Sequence, residues 1–190
     1  MYYITPEDCI KILNVKCIKD IKPSMLWQIA EQEKPFAKNY YNEDSDRSLE
    51  QQEQCVVNGK FGELLTMISL ARSGYQIVNG VIFSDRVGEF PYGDGGIDLT
   101  IVKDKINYKI QVKFCSGKNL NFRVKREKEN VRKNLEDGII VLICHYCCIN
   151  RHWKYVIRKL DKTLFESNLK RSSFNDCEFY INAYDIQILT

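Results

Sequence analysis

The sequence predicts an α/β fold, with helices packed around a central mixed sheet. Three observations predict it. Phe61, Leu64, Leu65, Ile68 and Ala71 recur at helical spacing and should face a sheet. The stretch Gly93-Asp94-Gly95-Gly96-Ile97-Asp98-Leu99-Thr100-Ile101-Val102 and the run Tyr108–Phe114 alternate apolar and polar residues, the period-2 signature of half-buried strands. Gly138-Ile139-Ile140-Val141-Leu142-Ile143-Cys144 is continuously apolar, as expected of a central strand buried on both faces. The order helix, strand, hairpin, helix, strand, strand reads as an α/β sandwich around a mixed sheet.

Thr5-Pro6-Glu7-Asp8 opens the first helix, with Thr5 as N-cap, Pro6 at the first helical position and acids in the first turn. Ile10, Ile12, Leu13 and Val15 continue it. A second helix starts at Pro23-Ser24, carries Met25, Leu26, Ile29 and Ala30, and stops near Pro35. Residues 1–36 thus read as a small helical extension. Residues 38–54, rich in Asn, Glu, Asp, Gln and Ser, read as a polar linker or as an acidic regulatory segment. The division that follows is an N-terminal extension with its linker over 1–54 and a single domain over 55–190.

The helix that carries the Phe61 stripe holds Glu63 off the centre of that stripe, in its first turns. There a carboxylate would favour the positive end of the helix dipole by about 0.3–1 kcal/mol. Gly74 is a fitting C-cap, and Tyr75 to Phe83 reads as the first strand. In the hairpin, Lys103-Asp104-Lys105-Ile106-Asn107 joins the two alternating runs. A turn centred on Asp104-Lys105 puts Ile97 opposite Val112, Leu99 opposite Ile110 and Ile101 opposite Tyr108, one continuous apolar face. The same register sets Asp98 opposite Gln111, with Lys113 two residues on and on the same side. Directly opposed residues have Cβ atoms roughly 4.5–5.5 Å apart. A carboxylate, an amide oxygen and an ammonium therefore converge on one patch, which is either the solvent face of the hairpin or a site. Three glycines just before Asp98 allow a close backbone approach there and favour a site.

Cys115 to Asn119 reads as a loop. Residues 118–133 then form a helix with Val124, Val131 and Leu135 as a narrow apolar stripe. Seven bases (Lys118, Arg123, Lys125, Arg126, Lys128, Arg132, Lys133) stand there against two acids. Such a helix is a solvated surface or lies along a phosphate backbone. Trp153-Lys154-Tyr155-Val156-Ile157 forms a further strand, followed by a short helix around Leu164 and a final strand at Phe179-Tyr180-Ile181.

The chain has 190 residues and net charge +3. Residues 1–53 hold ten acids and seven bases, a net −3, so residues 54–190 carry +6. The positive charge belongs to the part with the motifs and suits a polyanionic partner. No apolar run approaches the length of a membrane helix, and Met1-Tyr2-Tyr3-Ile4 lacks a signal-peptide layout, so an intracellular location (cytoplasmic or nucleoid-associated) is expected. The eight cysteines are scattered and fit small buried hydrophobes in a reducing compartment. Cys144, Cys147, Cys148 and His152 include a CxxC element with a histidine, but no second CxxC supports zinc.

Ile97-Asp98, a hairpin turn and Gln111-Val112-Lys113 resemble the core of the PD-(D/E)XK nuclease superfamily. The likeness is to its Gln-x-Lys branch, found in Mrr-type restriction enzymes, some homing endonucleases and transposon-end nucleases. That branch usually carries a Glu on a helix before the hairpin. Asn58-Gly59-Lys60-Phe61-Gly62-Glu63-Leu64-Leu65, followed by Ala71-Arg72-Ser73-Gly74-Tyr75, resembles that helix. The resemblance spans residues 58–146. Ile97 stands where the family name has Pro, and Gln111 where it has Asp or Glu, a known variant that leaves one ligand neutral.

The resemblance implies a restriction-endonuclease-like α/β/α sandwich around a central mixed sheet, and an Mg2+-dependent endonuclease that hydrolyses DNA phosphodiester bonds, with Mn2+ able to substitute. It implies metal ligation by Glu63, Asp98, Gln111 and the Val112 carbonyl, with Lys113 assisting the attacking water. Ser116, Lys118, Arg123, Lys125, Arg126 and Arg132 are then expected to contact nucleic acid. The extension over residues 1–36 is left to contact DNA, form a dimer surface or cover the core. Cutting both strands of a duplex calls for two active sites, which points to a homodimer. The rival readings are a non-catalytic nucleic-acid-binding module on the same fold, an RNA-cleaving member, and a zinc-stabilised interaction protein.

Overall fold

The computed structural model describes residues 2–41, 47–86, 96–116, 119–122, 125–149, 152–168, 170–171 and 179–182. At 119–122, 125–128, 147–149, 152–154, 164 and beyond 166 only the backbone is described. Gly93, Asp94 and Gly95, whose freedom was expected to matter ahead of Asp98, lie outside the described residues. The chain forms two compact units, Met1–Lys109 and Ile110–Thr190.

The first unit opens with an unexpected strand, β1 (Tyr2–Ile4), which pairs antiparallel with β3 (Val81–Phe83). Its partner lies some 80 residues away, so no local pattern announces the pairing. Helix α1 (Pro6–Ile12) follows, capped by Thr5 as expected and ending ahead of Leu13 and Val15, and its N-terminus is a capping box. The Asp8 amide donates to Thr5 Oγ1 (3.3 Å), and the Asp8 carboxylate accepts from the Thr5 amide (3.0 Å) and hydroxyl (2.7 Å). Beyond it the second helix is shorter than expected. A 3-10 turn at Pro23–Met25 leads into α2 (Leu26–Ala30), and a 3-10 segment, Glu31–Tyr40, runs past Pro35. Leu26, Ile29 and Ala30 are fully buried, and Trp27 stacks on Phe61 with ring centroids 3.8 Å apart and planes 5° from parallel.

Helix α3 (Leu49–Arg72) is 24 residues long. It starts at the capping box of Ser48 and Gln51, so residues 49–54, read as linker, form its first turns. Gln and Glu are good helix formers, and the polarity that suggested a linker is that of an exposed helix start. Arg72 at its end donates to the carbonyls of Ile18, Lys19 and Ile21, tying the N-terminal segment to α3. Gly74 adopts φ +87°, and the Tyr75 amide reaches back to the Leu70 carbonyl at 3.1 Å, the C-cap its position predicted.

The single strand expected over 75–83 is two. β2 (Gln76–Asn79) pairs antiparallel with β4 (Leu99–Lys103), whereas β3 pairs with β1. Gly80 separates them, and a Cβ there would drive into the Ile4 carbonyl. The close approach of β1 requires glycine and bends the chain from one sheet into the other. In β4, Leu99 and Ile101 are buried and Thr100 and Val102 half-buried, as the alternation predicted. Asp104 and Lys105 have φ of 53° and 65°, the left-handed pair of a two-residue hairpin turn, centred where expected. They lead into β5 (Ile106–Cys115), a continuous strand whose last residues belong to the second unit.

In the second unit, β6 (Asn119–Phe122) occupies residues expected to be loop and helix, and α4 (Lys125–Glu136) begins only after it. Asn-Leu-Asn-Phe alternates with period 2, a strand pattern too short to register beside the basic run. The partner of β6 comes from the far end of the chain. β6, β10 (Phe179–Asn182) and β9 (Lys170–Arg171) form a small antiparallel sheet in the order β6-β10-β9. β7 (Ile140–Ile149) is the expected buried strand and ends five residues later than the apolar run. It pairs parallel with β5, Gln111 beside Val141 and Lys113 beside Ile143, and antiparallel with β8 (His152–Leu160). α5 (Lys162–Asn168) follows. Val131 of α4 packs with Cys115, Val141, Ile143, Leu160 and Phe165, with Leu135 at the margin, so these two residues of the predicted stripe face the core, while Val124 lies outside the described residues. The main sheet has the order β2-β4-β5-β7-β8 and is mixed, its β5–β7 pair parallel and the β2–β4 and β7–β8 pairs antiparallel. The chain has the α/β fold with a central mixed sheet that the sequence predicted.

Candidate active site

Helix α3 is buried along most of its length, with Val56, Val57, Phe61, Leu64, Leu65, Met67 and Ile68 all inaccessible or nearly so. Two charged residues share that burial. Lys60 and Glu63, three apart and hence on one face, have side chains 8% and 13% exposed, and Lys60 Nζ lies 2.8 Å from Glu63 Oε2. Glu63 was expected in the first turns of the helix, where the dipole alone would explain it. With α3 starting at Leu49, Glu63 is instead about four turns in, and the dipole's influence ends within the first.

Burial pushes the Glu63 carboxyl up to about 7, and the negative charges of Asp98 and Glu33 push in the same direction, while the Lys60 ammonium opposes them. Asp98 is half-buried just ahead of β4, two residues after Gly96, whose φ is +95°. It opens on a shallow cleft bounded by Tyr3, Asn79, Ile82, Ile97 and Thr100. The first unit therefore brings Glu63 and Asp98 within electrostatic reach of each other.

Behind Lys60 stands a polar cluster that sequence reasoning missed. Glu33, fully buried, accepts the Ser84 amide with both carboxylate oxygens at 3.0 Å and the Tyr40 hydroxyl at 2.6 Å. Burial and the Glu33 charge drive the Tyr40 hydroxyl far upward, so it remains a donor throughout the working pH range. Lys60 Nζ lies 5.7 Å from the Tyr40 ring centre and 5.9 Å from that of Phe83, within cation–π range of both. A lysine three residues before Glu63 on an apolar helix was the one local signal available. Glu33 and Tyr40 gave none, because both lie in what read as a helical extension and its linker.

In the second unit, Gln111 is 6% exposed and its Oε1 is a buried oxygen with no hydrogen-bond partner among the described residues. A solvent-facing hairpin residue would not be buried, so the surface reading of this position is excluded. Val112 is buried and Lys113 half-buried. The donor types suit a hard divalent cation such as Mg2+, which takes carboxylate and amide oxygens. Within the first unit, a carboxylate disfavoured by a neighbouring carboxylate gains from such a cation, and within the second a buried amide oxygen without a partner among the described residues gains from any cation or donor. Among the described residues no three His, Cys, Asp or Glu side chains cluster.

Of the residues expected at nucleic acid, Ser116 is exposed, and Arg132 is engaged with Glu166, its Nε 2.7 Å from Oε1 and an Nη 3.2 Å from Oε2. Lys118 and Arg123 lie outside the described residues, and Lys125 and Arg126 are placed on α4 by backbone alone. Cys144 is buried within β7, and that strand runs on to Ile149, past Cys147 and Cys148. The turn on which a CxxC zinc knuckle is built is therefore missing there. The side chains of Cys147, Cys148 and His152 lie outside the described residues. Among the described residues no helix is long and apolar enough to cross a membrane.

No family model and no curated protein matches this chain. Among solved structures, it is similar to Hjc of Archaeoglobus fulgidus, described as a Holliday junction resolvase from an archaeal hyperthermophile. The identity is 16% and the TM-score 0.41, over 69% of this chain and 91% of that one.

Proposed function

We propose that this protein is an Mg2+-dependent nuclease, with DNA as substrate. The observation that carries the reading is the buried Glu63 carboxylate, disfavoured by burial and by the charge of Asp98. A buried carboxylate on a helix, with a second carboxylate raising its proton affinity from the mouth of a hairpin, is arranged for a cation. On this reading Glu63, Asp98, Gln111 and the Val112 carbonyl hold Mg2+, or Mn2+ in its place, and the unpartnered Gln111 oxygen supplies the neutral ligand. The metal would polarise the scissile phosphate and lower the pKa of an attacking water. Lys113 assists by orienting that water or pairing with the phosphate. The basic segment at 118–133, with Ser116, lies along the backbone of the nucleic acid. Arg132, paired to Glu166, adds to its potential more than to direct contact. Cleavage of both strands of a duplex would use two copies of the chain.

A second reading, a non-catalytic nucleic-acid-binding module, draws on Gln111 standing where a carboxylate would bind metal more strongly. Incubation with plasmid, linear duplex, branched and single-stranded DNA and with RNA, in Mg2+ or Mn2+, separates the two. The nuclease reading expects metal-dependent cutting that falls by a factor on the order of 100 or more in Asp98→Ala and in Lys113→Ala. Binding without cutting in all three proteins would establish the module instead, and cutting of RNA alone would reassign the substrate.

A further inference from the structure

We infer that Lys60 is a positioning residue for Glu63, and that the N-terminal segment exists in part to hold Lys60 in place. The inference rests on the metal reading above and names residues to which that reading assigns no role. Lys60 binds one carboxylate oxygen, Oε2, at 2.8 Å. Oε1 of Glu63 makes no hydrogen bond among the described residues. A carboxylate clamped by one oxygen and open at the other is an oriented ligand, whereas an unclamped Glu side chain has several rotatable bonds to fix on binding.

The clamp itself is supported from behind. An ammonium only 8% exposed would be costly without compensation. Here it has the Glu63 carboxylate on one side and the ring centres of Tyr40 and Phe83 at 5.7 and 5.9 Å. The Tyr40 ring is fixed by its hydroxyl, which donates to Glu33 at 2.6 Å, and Glu33 is fixed by the Ser84 amide at 3.0 Å on each oxygen. Glu33 and Tyr40 both belong to the 3-10 segment Glu31–Tyr40. This segment therefore supplies the outer support of the acidic site, Ser84 amide to Glu33 to Tyr40 to Lys60 to Glu63. Ligand supports of this kind are worth about 10–100-fold in metal affinity.

Calorimetric titration of the full chain with Mg2+ alone, without nucleic acid, tests this in wild type, Lys60→Met, Lys60→Arg and Tyr40→Phe. Met keeps the volume of the stem between Tyr40 and Phe83 and removes the clamp. The expected result is Mg2+ affinity about tenfold weaker in Lys60→Met, restored to within about threefold of wild type in Lys60→Arg, with Tyr40→Phe in between. In cleavage assays the Mg2+ requirement of Lys60→Met should rise by the same factor while the rate at saturating Mg2+ holds, a split that simple unfolding would not produce. Wild-type binding matched or exceeded by Lys60→Met overturns the inference and leaves the metal reading standing. No Mg2+ binding by wild type overturns both. If Lys60→Met does not fold, Tyr40→Phe decides: weakened binding supports the inference, and unchanged binding overturns it.

Discussion

The Glu63 side chain is 13% exposed, and burial raises its carboxyl to about 7. The folded chain then binds that proton more tightly than the unfolded chain, whose value is near 4.5. The resulting stability is fully present below pH 4.5 and is lost as the pH rises toward and through 7. Glu63→Gln carries no such dependence. In metal-free buffer the stability of Glu63→Gln relative to wild type should therefore rise between about pH 4.5 and 7.5 by on the order of 2 kcal/mol, as read from urea unfolding at the two pH values. A difference that stays flat across that window would mean that Lys60 neutralises Glu63 fully. On the proposed metal reading, adding Mg2+ should shrink the difference, because a cation held by Glu63 would stabilise the ionised carboxylate of the wild type alone.

Among the elements, α3 and the β2–β3 corner make contrasting demands on glycine. Gly80 stands where β1 crosses, with the Ile4 carbonyl in the space a Cβ would take. The obstacle is backbone, with no flexible side chain to yield, so Gly80→Ala should cost about 3 kcal/mol or prevent folding. Gly59, inside α3, has open space around the position its Cβ would take, with nothing within 4 Å. Gly59→Ala should stabilise the helix by about 0.5–1 kcal/mol. Thermal unfolding of the two variants checks both signs. Equal effects would mean that β1 does not pack against Gly80.

At the scale of the whole molecule, charge is divided along the chain, −3 over residues 1–53 and +6 over the remainder. Binding to a nucleic acid should accordingly weaken with salt, and each phosphate contact contributes about 0.9 to the slope of log affinity against log salt. If Lys125 and Arg126 each contact a phosphate, as the proposed function has it, Lys125→Ala with Arg126→Ala should lower that slope by about 1.8, without sequence preference. Arg132→Ala, whose guanidinium is spent on Glu166, should change the slope by less than about half a unit. Fluorescence anisotropy over roughly 50–300 mM salt measures all three. A larger loss in Arg132→Ala than in the double variant would reverse the assignment of these bases.

Periodicity and caps were legible because they are local. The Phe61–Ile68 stripe, the Thr5 box, Gly74, the Asp104-Lys105 turn and the apolar run of β7 each announce themselves within a few residues, since helix and strand geometry repeat at that range. From them came the mixed α/β fold and the hairpin patch of Asp98, Gln111 and Lys113, whereas Glu63 stood out only through the resemblance of its helix to that of the PD-(D/E)XK nucleases. Tertiary structure decided what lies far apart in the chain: β1 against β3, β6 against β10, and the bend at Gly80. It also decided the surroundings of the carboxylates. Whether a charge is buried, and beside what, depends on every element packed around it, so nothing local marked Glu33 and Tyr40, or the burial of Lys60 beside them.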